Sequence, residues 1–226
     1  MAIINVSFII PVYNRPEEIN ELLYSFNNLE GNYNFEIVII EDGSNDSSEN
    51  IISKYSNDLN ISYFKKNNTG PGDSRNFGMK KARGNYFIIL DSNCILPKDC
   101  LVNFFANINH RYVDCFGGVD DSHHSFTSFQ KAVNFTMTSL ITTGGIRGGR
   151  SRHKSFQARS FNMGISKNTF ELTFICAMIL RFAKQHFVLC NLKLIEIIQY
   201  TGNGDFKYRV IAFSFEVDTH GEQKPS

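Results

Sequence analysis

The first hundred residues alternate between short apolar runs and helical patterns, and this alternation constrains the fold more than any other feature of the sequence. Four runs have the length and the β-branched or aromatic content of buried strands: NVSFIIPVY, FEIVII, ISYF and NYFIIL. Between them, apolar residues recur at helical spacing, as in Ile19, Leu22, Leu23 and Phe26. The pattern predicts an α/β fold, a mostly parallel twisted sheet flanked by helices and joined by crossover connections.

Two helix starts show the spacing of a capping box. Asn14 precedes Glu17 by three residues, with Pro16 near the first helical position, and Asp46 precedes Glu49 in the same way. We therefore expect Asn14 and Asp46 to cap the helices that follow the first and second strands.

Composition excludes several classes of protein. The chain has 226 residues and a formal net charge of +1, so bulk charge predicts no nucleic-acid partner. Its five cysteines are scattered without a C-x-x-C spacing, as expected in a reducing cytosol. The N-terminal apolar run has no basic segment before it, and the run Phe174–Leu180 is too short to cross a bilayer. We expect a cytoplasmic protein without a signal peptide.

Polar clusters follow three of the four strands directly. They are Tyr13–Arg15 after the first strand, Glu41–Ser44 after the second and Asp91–Asn93 after the fourth. Each cluster alone has an ordinary interpretation as a turn or a helix cap. Because ligands of parallel sheets bind beyond the carboxyl ends of the strands, their joint placement predicts one binding site at that edge.

Four segments carry a family resemblance: FIIPVYNRPEEINELLYSF, FEIVIIEDGSNDSS, NTGPGDSRNFGMKKARGNYFIILDSN and SFNMGISKNTF. Over residues 4 to 171, the chain resembles the family 2 glycosyltransferases, inverting enzymes of the GT-A fold. The resemblance implies a GT-A-type nucleotide-diphospho-sugar transferase fold. It also implies transfer of a sugar from a nucleotide-diphosphate donor, commonly linked to uracil, to a glycan or lipid-linked acceptor in polysaccharide biosynthesis.

The resemblance assigns donor-binding roles to eight positions: Pro11, Val12, Tyr13, Glu41, Asp42, Arg75, Asp91 and Ser92. Tyr13 and the two residues before it match the strand end that packs against the nucleobase. Asp42 matches the acid that accepts a hydrogen bond from the base, and Arg75 matches an arginine near the base and the diphosphate.

Asp91 and Asn93 occupy the position of the family's Asp-x-Asp motif, which the resemblance links to a divalent cation. Oxygen ligands suit Mg²⁺ or Mn²⁺, and residues two apart in an extended chain point the same way. Asn93 departs from the motif because its amide carries no charge. We expect weaker metal binding, or a cation held mainly by the donor's phosphates.

The general base that an inverting transferase needs is not evident. No aspartate lies between Asp121 and Asp205, and the two glutamates in that interval lack the family's sequence context. Asp120 and Asp121 follow an expected fifth strand, Val113–Gly117, and are the remaining candidates.

A basic, glycine-rich segment lies in the second half of the chain, and three interpretations stay open for it. It could close over the donor, lie on the inner face of an anionic membrane, or be a solvated loop. Its charges are Arg147, Arg150, Arg152, Lys154 and Arg159. His123, His124 and His153 are possible metal ligands but more typical of surface residues.

We divide the chain into a nucleotide-sugar-binding half (1–115), an acceptor-side half (116–171) and an atypical C-terminal segment (172–226). A frameshift or truncation in the coding sequence would explain the last segment, as would ordinary divergence. Two other functions remain open. The missing base favours a non-catalytic nucleotide-sugar-binding protein, whereas a nucleotidyltransferase needs a lysine-bearing glycine loop that PVYNRPEE lacks.

Overall fold

The computed structural model describes residues 4–118, 128, 132, 135–136, 162–172, 195–201 and 205–211. The elements in chain order are β1 (Val6–Val12), α1 (Pro16–Asn27), β2 (Phe35–Asp42), α2 (Glu49–Tyr55), β3 (Ile61–Lys66), α3 (Pro71–Lys81), β4 (Tyr86–Ile89), α4 (Cys100–His110), β5 (Cys115–Gly118), β6 (Met163–Ser166), β7 (Ile195–Thr201) and β8 (Asp205–Ile211). Across the described ranges, no helix combines the length and apolar character needed to cross a membrane.

The eight strands form one sheet in the order β3-β2-β1-β4-β6-β5-β7-β8. Strands β1 to β4 are mutually parallel, and β6 runs antiparallel between β4 and β5. From β1 the chain moves outward through β2 to β3 and then returns to place β4 on the other side of β1. The strand order therefore reverses between β1 and β4, which is where ligands of such sheets bind.

Helices cover both faces of the sheet. All seven side chains of β1 are buried, as expected for a central strand with helices on either side. Phe8 and Ile10 face a core formed with α1, α2 and α4, whereas Ile9 faces a second core formed with α3. The apolar residues that predict α1 are all buried in the first of these cores.

Both predicted capping boxes are wrong. Helix α1 begins at Pro16 after Arg15, α2 begins at Glu49 after Ser48, and neither N-cap residue makes a side-chain capping hydrogen bond. The Asn14 side chain instead accepts hydrogen bonds from the loop after β2. Its carboxamide oxygen is thus used between two loops rather than at the start of its own helix.

A buried carboxylate ties the sheet together at the end opposite the polar clusters. Glu36 accepts hydrogen bonds from the Ser7 and Ser62 hydroxyls and from the backbone and side chain of Arg83, at 2.9–3.0 Å. Burial raises the pKa of Glu36, but the four hydrogen bonds outweigh it and hold the pKa below its usual value. These contacts fix the point at which α3 leads into β4.

Helix α3 approaches the sheet closely at Gly78. A Cβ atom there would lie 2.5 Å from the Cδ1 atom of Ile40 and 2.8 Å from the Cγ2 atom of Ile9. Both isoleucines are completely buried, so the space cannot be made without shifting the core. Since Arg75 lies one turn before Gly78, this contact also sets the height of Arg75 above the sheet.

We predict that Gly78→Ala destabilises the fold by about 1–3 kcal/mol through overpacking, although alanine is the better helix former. Gly72→Ala on the same helix is the matched control because a Cβ atom there meets nothing within 4 Å. Chemical denaturation measures both variants. Equal stability of the two alanine variants would contradict the close approach.

Candidate functional site

The polar clusters predicted from the sequence meet at one edge of the sheet. Strands β2, β1 and β4 are adjacent and parallel, so Tyr13, Asp42 and Asp91 all lie at or just beyond the carboxyl ends of neighbouring strands. Tyr13 is 48% exposed, whereas Pro11 and Val12 before it are buried. At the end of β1, Tyr13 therefore has an exposed side chain, whereas Pro11 and Val12 do not.

The loops after β1 and β2 are joined by hydrogen bonds. The backbone N–H group of Asn14 donates to the Ser44 hydroxyl oxygen at 2.8 Å. In return, the Asn14 Oδ1 atom accepts from the backbone amides of Asn45, at 2.8 Å, and Asp46, at 3.2 Å. The two loops therefore form one hydrogen-bonded unit beside Tyr13.

Glu41 uses its carboxylate within the protein. The side chain is buried and accepts hydrogen bonds from the Ser44 hydroxyl, the Ser48 amide and the Tyr63 hydroxyl. Burial and the adjacent Glu41 carboxylate raise the pKa of Tyr63, which keeps its phenol protonated as the donor. The structure thus places Glu41 beneath the edge and not on its surface.

Asp42 holds the loop that follows β3. Its side chain is 4% exposed and accepts from the Lys66 ammonium, from the Thr69 amide at 3.0 Å and from the Gly70 amide at 2.9 Å. Burial raises the pKa of Asp42, but hydrogen bonds led by that from Lys66 reverse the effect and lower the pKa below its usual value. Asp42 is therefore ionised and ordered before any ligand arrives.

A glycine makes this loop contact possible. Gly43 has a φ of 73°, in the left-handed region, and a Cβ atom there would lie 2.6 Å from the Asn68 backbone nitrogen. Any other residue at position 43 would separate the loop after β2 from the loop after β3.

An ion pair connects α3 to the end of β4. The Arg75 Nη2 atom donates to the Asp91 Oδ1 atom at 2.8 Å, and the two side chains are 12% and 33% exposed. The Arg75 Nε atom is buried without a hydrogen-bond partner. The pair thus leaves one Arg75 donor unused, while the Asp91 side chain is partly exposed.

The geometry expected for Asp91 and Asn93 is wrong. The chain is not extended after β4, because the Cys94 amide donates to the Asp91 carbonyl at 3.3 Å and closes a turn. Ser92 is buried in this turn and Asn93 is exposed. The two-residue spacing therefore does not place the two side chains on one side, since that rule holds only for an extended chain.

The donor set fits a hard cation only with help from a ligand. Asp91 and Asn93 offer the oxygen atoms that Mg²⁺ or Mn²⁺ prefers, but they supply a single negative charge. Among the residues that the structure describes, no group of three or more histidine, cysteine, aspartate and glutamate residues could hold a metal ion. The residues therefore suit a cation that phosphate oxygens also ligate.

Several predicted residues lie outside the described part of the chain. They are Asp120, Asp121, His123, His124, Arg147, Arg150, Arg152, His153, Lys154 and Arg159. Their roles stay predictions.

A family comparison decides the identity. The family described as Glycosyl transferase family 2 matches residues 7–186, most of the chain and beyond the residue 171 at which the visible resemblance ends. The chain belongs to glycosyltransferase family 2. The chain has a GT-A-type fold, as predicted.

Curated relatives match part of this chain. It is 35% identical over 111 residues to the poly(ribitol-phosphate) beta-N-acetylglucosaminyltransferase TarS of Staphylococcus aureus, covering 48% of this chain and 19% of that protein. It is 27% identical over 168 residues to the chondroitin synthase of Escherichia coli, covering 70% and 24%. The chain thus spans about a quarter or less of these relatives.

The crystal structure of S. aureus TarS residues 1–349 has a similar fold. The TM-score is 0.57 at 24% identity, and the alignment covers 76% of this chain and 49% of that one.

Sequence reasoning missed the loop after β3. The polar clusters predicted from the sequence do not include Lys66, yet β3 lies beside β2 and its carboxyl end reaches the same edge. The rule applied to the other three strands would have included Lys66. It was overlooked because its run, ISYF, ends before the charged residues that complete the strand.

We predict that Asp42→Asn costs about 1–3 kcal/mol of unfolding free energy at neutral pH, because the amide cannot accept all three hydrogen bonds. Since the folded-state pKa of Asp42 is lowered from 3.8, its contribution is fully present well above pH 3.8 and is lost as the pH falls through the folded-state pKa. In Asp42→Asn, the free energy of unfolding should therefore fall less steeply at acidic pH than it does in the wild type.

Asp58→Asn, at an exposed position after α2, is the control. Urea denaturation between pH 7 and pH 2.5 measures both variants. A profile for Asp42→Asn that parallels the wild type down to the lowest pH would argue against the ionised, loop-holding role.

Proposed function

We propose that this protein transfers a sugar from a uridine-diphosphate sugar to a glycan or lipid-linked acceptor, with inversion and with the help of Mn²⁺ or Mg²⁺. The carrying observation is the ordered edge at the strand-order reversal. There, an exposed tyrosine, a buried ionised aspartate and an arginine–aspartate pair come from four neighbouring elements.

We assign the nucleobase to the space beside Tyr13. The exposed ring offers a stacking surface, and the buried Pro11 and Val12 hold the strand end in place. The Asp42 Oδ2 atom accepts from the Gly70 amide, and a carboxylate oxygen has a second lone pair. We assign that lone pair to an N–H group of the base. Uracil in a nucleotide has one such group and can donate it to Asp42.

We assign the diphosphate to the Arg75–Asp91 pair. A guanidinium recognises phosphate oxygens well, and the orphaned Nε atom leaves Arg75 with an unused donor. Asp91 and Asn93 would hold the cation, which when bound supplies Lewis-acid stabilisation of the charge on the leaving diphosphate. Ser92 is buried and supports the turn that carries them.

The acceptor side is proposed from the family alone. Inversion in one displacement needs a base opposite the leaving group, and Asp120 and Asp121 stay the candidates. The basic segment around Arg147–Arg159 would bring the protein to an anionic membrane surface if the acceptor is lipid-linked.

The relatives support the donor class. TarS, 35% identical over its matched part, is by name an N-acetylglucosaminyltransferase, and its structure was determined with UDP and with UDP-GlcNAc. We carry a UDP-sugar donor over to this chain as part of the proposal.

The test is nucleotide release from a panel of UDP- and GDP-sugars with Mn²⁺, including slow transfer to water when no acceptor is supplied. We predict that Asp91→Asn lowers the release rate on the order of a hundred-fold, because the charge that positions the cation and Arg75 is lost. Its donor affinity should fall by about 1–3 kcal/mol.

Asp99→Asn, at an exposed position before α4, is the matched control and should behave as the wild type. Equal rates for Asp91→Asn and Asp99→Asn would remove Asp91 from the site.

A non-catalytic nucleotide-sugar-binding protein is the second candidate. It is favoured by the neutral Asn93 in the motif and by the engagement of Asp91 with Arg75. Calorimetry with the same panel separates the two functions. Donor binding without any nucleotide release supports the second candidate, and no binding of any donor contradicts both.

A further inference from the structure

Asn14 belongs to the first polar cluster, and the proposed chemistry gives it no role. It is one of the described non-glycine residues with a positive φ, 52°, a conformation that asparagine tolerates better than most residues. Strained backbone of this kind is often found at functional sites. The chain bends at Tyr13 and Asn14, directly after β1.

Asn14 is held through both its backbone and its side chain. Its amide donates to Ser44, and its Oδ1 atom accepts from two successive amides of the loop after β2. Both the backbone N–H group and the Oδ1 atom of Asn14 are therefore engaged with the loop after β2.

The bonds of Asn14 continue into the sheet. The Ser44 hydroxyl donates to Glu41, and Glu41 accepts from the Tyr63 hydroxyl and from the Ser48 amide at the start of α2. One connected set of hydrogen bonds, which we call the tip clamp (Asn14, Ser44, Glu41, Tyr63), therefore joins the loops after β1 and β2 to the end of β2 and to Tyr63 within β3.

We propose that the tip clamp is a positioning device for the nucleobase, and that Asn14 and Glu41 act in it without touching the ligand. Asn14 follows Tyr13 directly, and Ser44 lies two residues after Asp42. The clamp therefore fixes the distance between the assigned stacking ring and the assigned carboxylate. This inference rests on the proposed function and replaces direct ligand contact by Glu41 with a positioning role.

The clamp acts more on base selection than on stability. Asn14, Asn45 and Asp46 are exposed, so their amides find water when the carboxamide is removed, and little unfolding free energy is lost. Discrimination between bases requires a constant distance between the Tyr13 ring and the Asp42 carboxylate. A looser separation accepts a purine and a pyrimidine more equally, while the shared diphosphate contacts persist.

The test compares the dissociation constants of UDP and GDP, each with Mn²⁺, by calorimetry. Asn14→Gly keeps the left-handed backbone and its amide donor but removes the Oδ1 acceptor. We expect it to weaken binding of the preferred nucleotide roughly ten-fold, the scale of one misaligned hydrogen bond to the base, and to move the ratio of the two constants toward one. Asn14→Asp keeps the acceptor and should retain the wild-type ratio.

The ratio of the two dissociation constants is the decisive readout, because partial unfolding of a variant would weaken the apparent binding of UDP and of GDP equally. The added charge of Asn14→Asp likewise acts on the diphosphate that both nucleotides share. Ser44→Ala, which removes the link between Asn14 and Glu41, should move the ratio as Asn14→Gly does.

A wild-type protein that discriminates between UDP and GDP, with an unchanged ratio in both Asn14→Gly and Ser44→Ala, would overturn the tip clamp and leave the proposed function intact. A wild-type protein that binds neither nucleotide would overturn the proposed function and the clamp with it.

Discussion

The pairing of β1 with two parallel neighbours is the constraint on which the polar edge depends. Val12 lies opposite Glu41 on β2, and Ile9 lies opposite Ile89 on β4. With these registers, the side chains that follow each strand emerge at one edge. A shift of one residue in either pairing would turn a strand's apolar side chains to the opposite face, so both cores of the sheet hold the register in place.

Buried carboxylates convert this register into fixed geometry. Glu36 ties the strands at one end, and Glu41 and Asp42 tie the loops at the other. An ionised group in the interior is costly unless every oxygen is satisfied, and each of the three accepts at least three hydrogen bonds from this chain. The edge is thus built from buried carboxylates whose desolvation is already compensated, beside the more exposed side chains of Tyr13 and Asp91.

The sequence predicts the strands, the helical core and the edge because these follow from periodicity and from the direction of parallel strands. It fails where an oxygen has a choice of partners. Asn14 has the spacing of a helix cap but bonds to another loop, since tertiary contacts decide between equivalent acceptors. Asp91 and Asn93 look extended, yet the strand stops at Ile89 and a turn follows. Lys66 carries no motif at all, and only the strand order reveals its place beside Asp42.

The return of the chain from β3 to the far side of β1 has a consequence for synthesis. Strands β1 to β4 and the helices between them are complete by residue 89, and the assigned donor-side residues, from Pro11 to Asn93, all lie in the first 93 residues of the chain. Domains fold largely as units during translation, N-terminal parts first. Strands β1 to β4 can therefore pair with one another while the later sequence is still being synthesised.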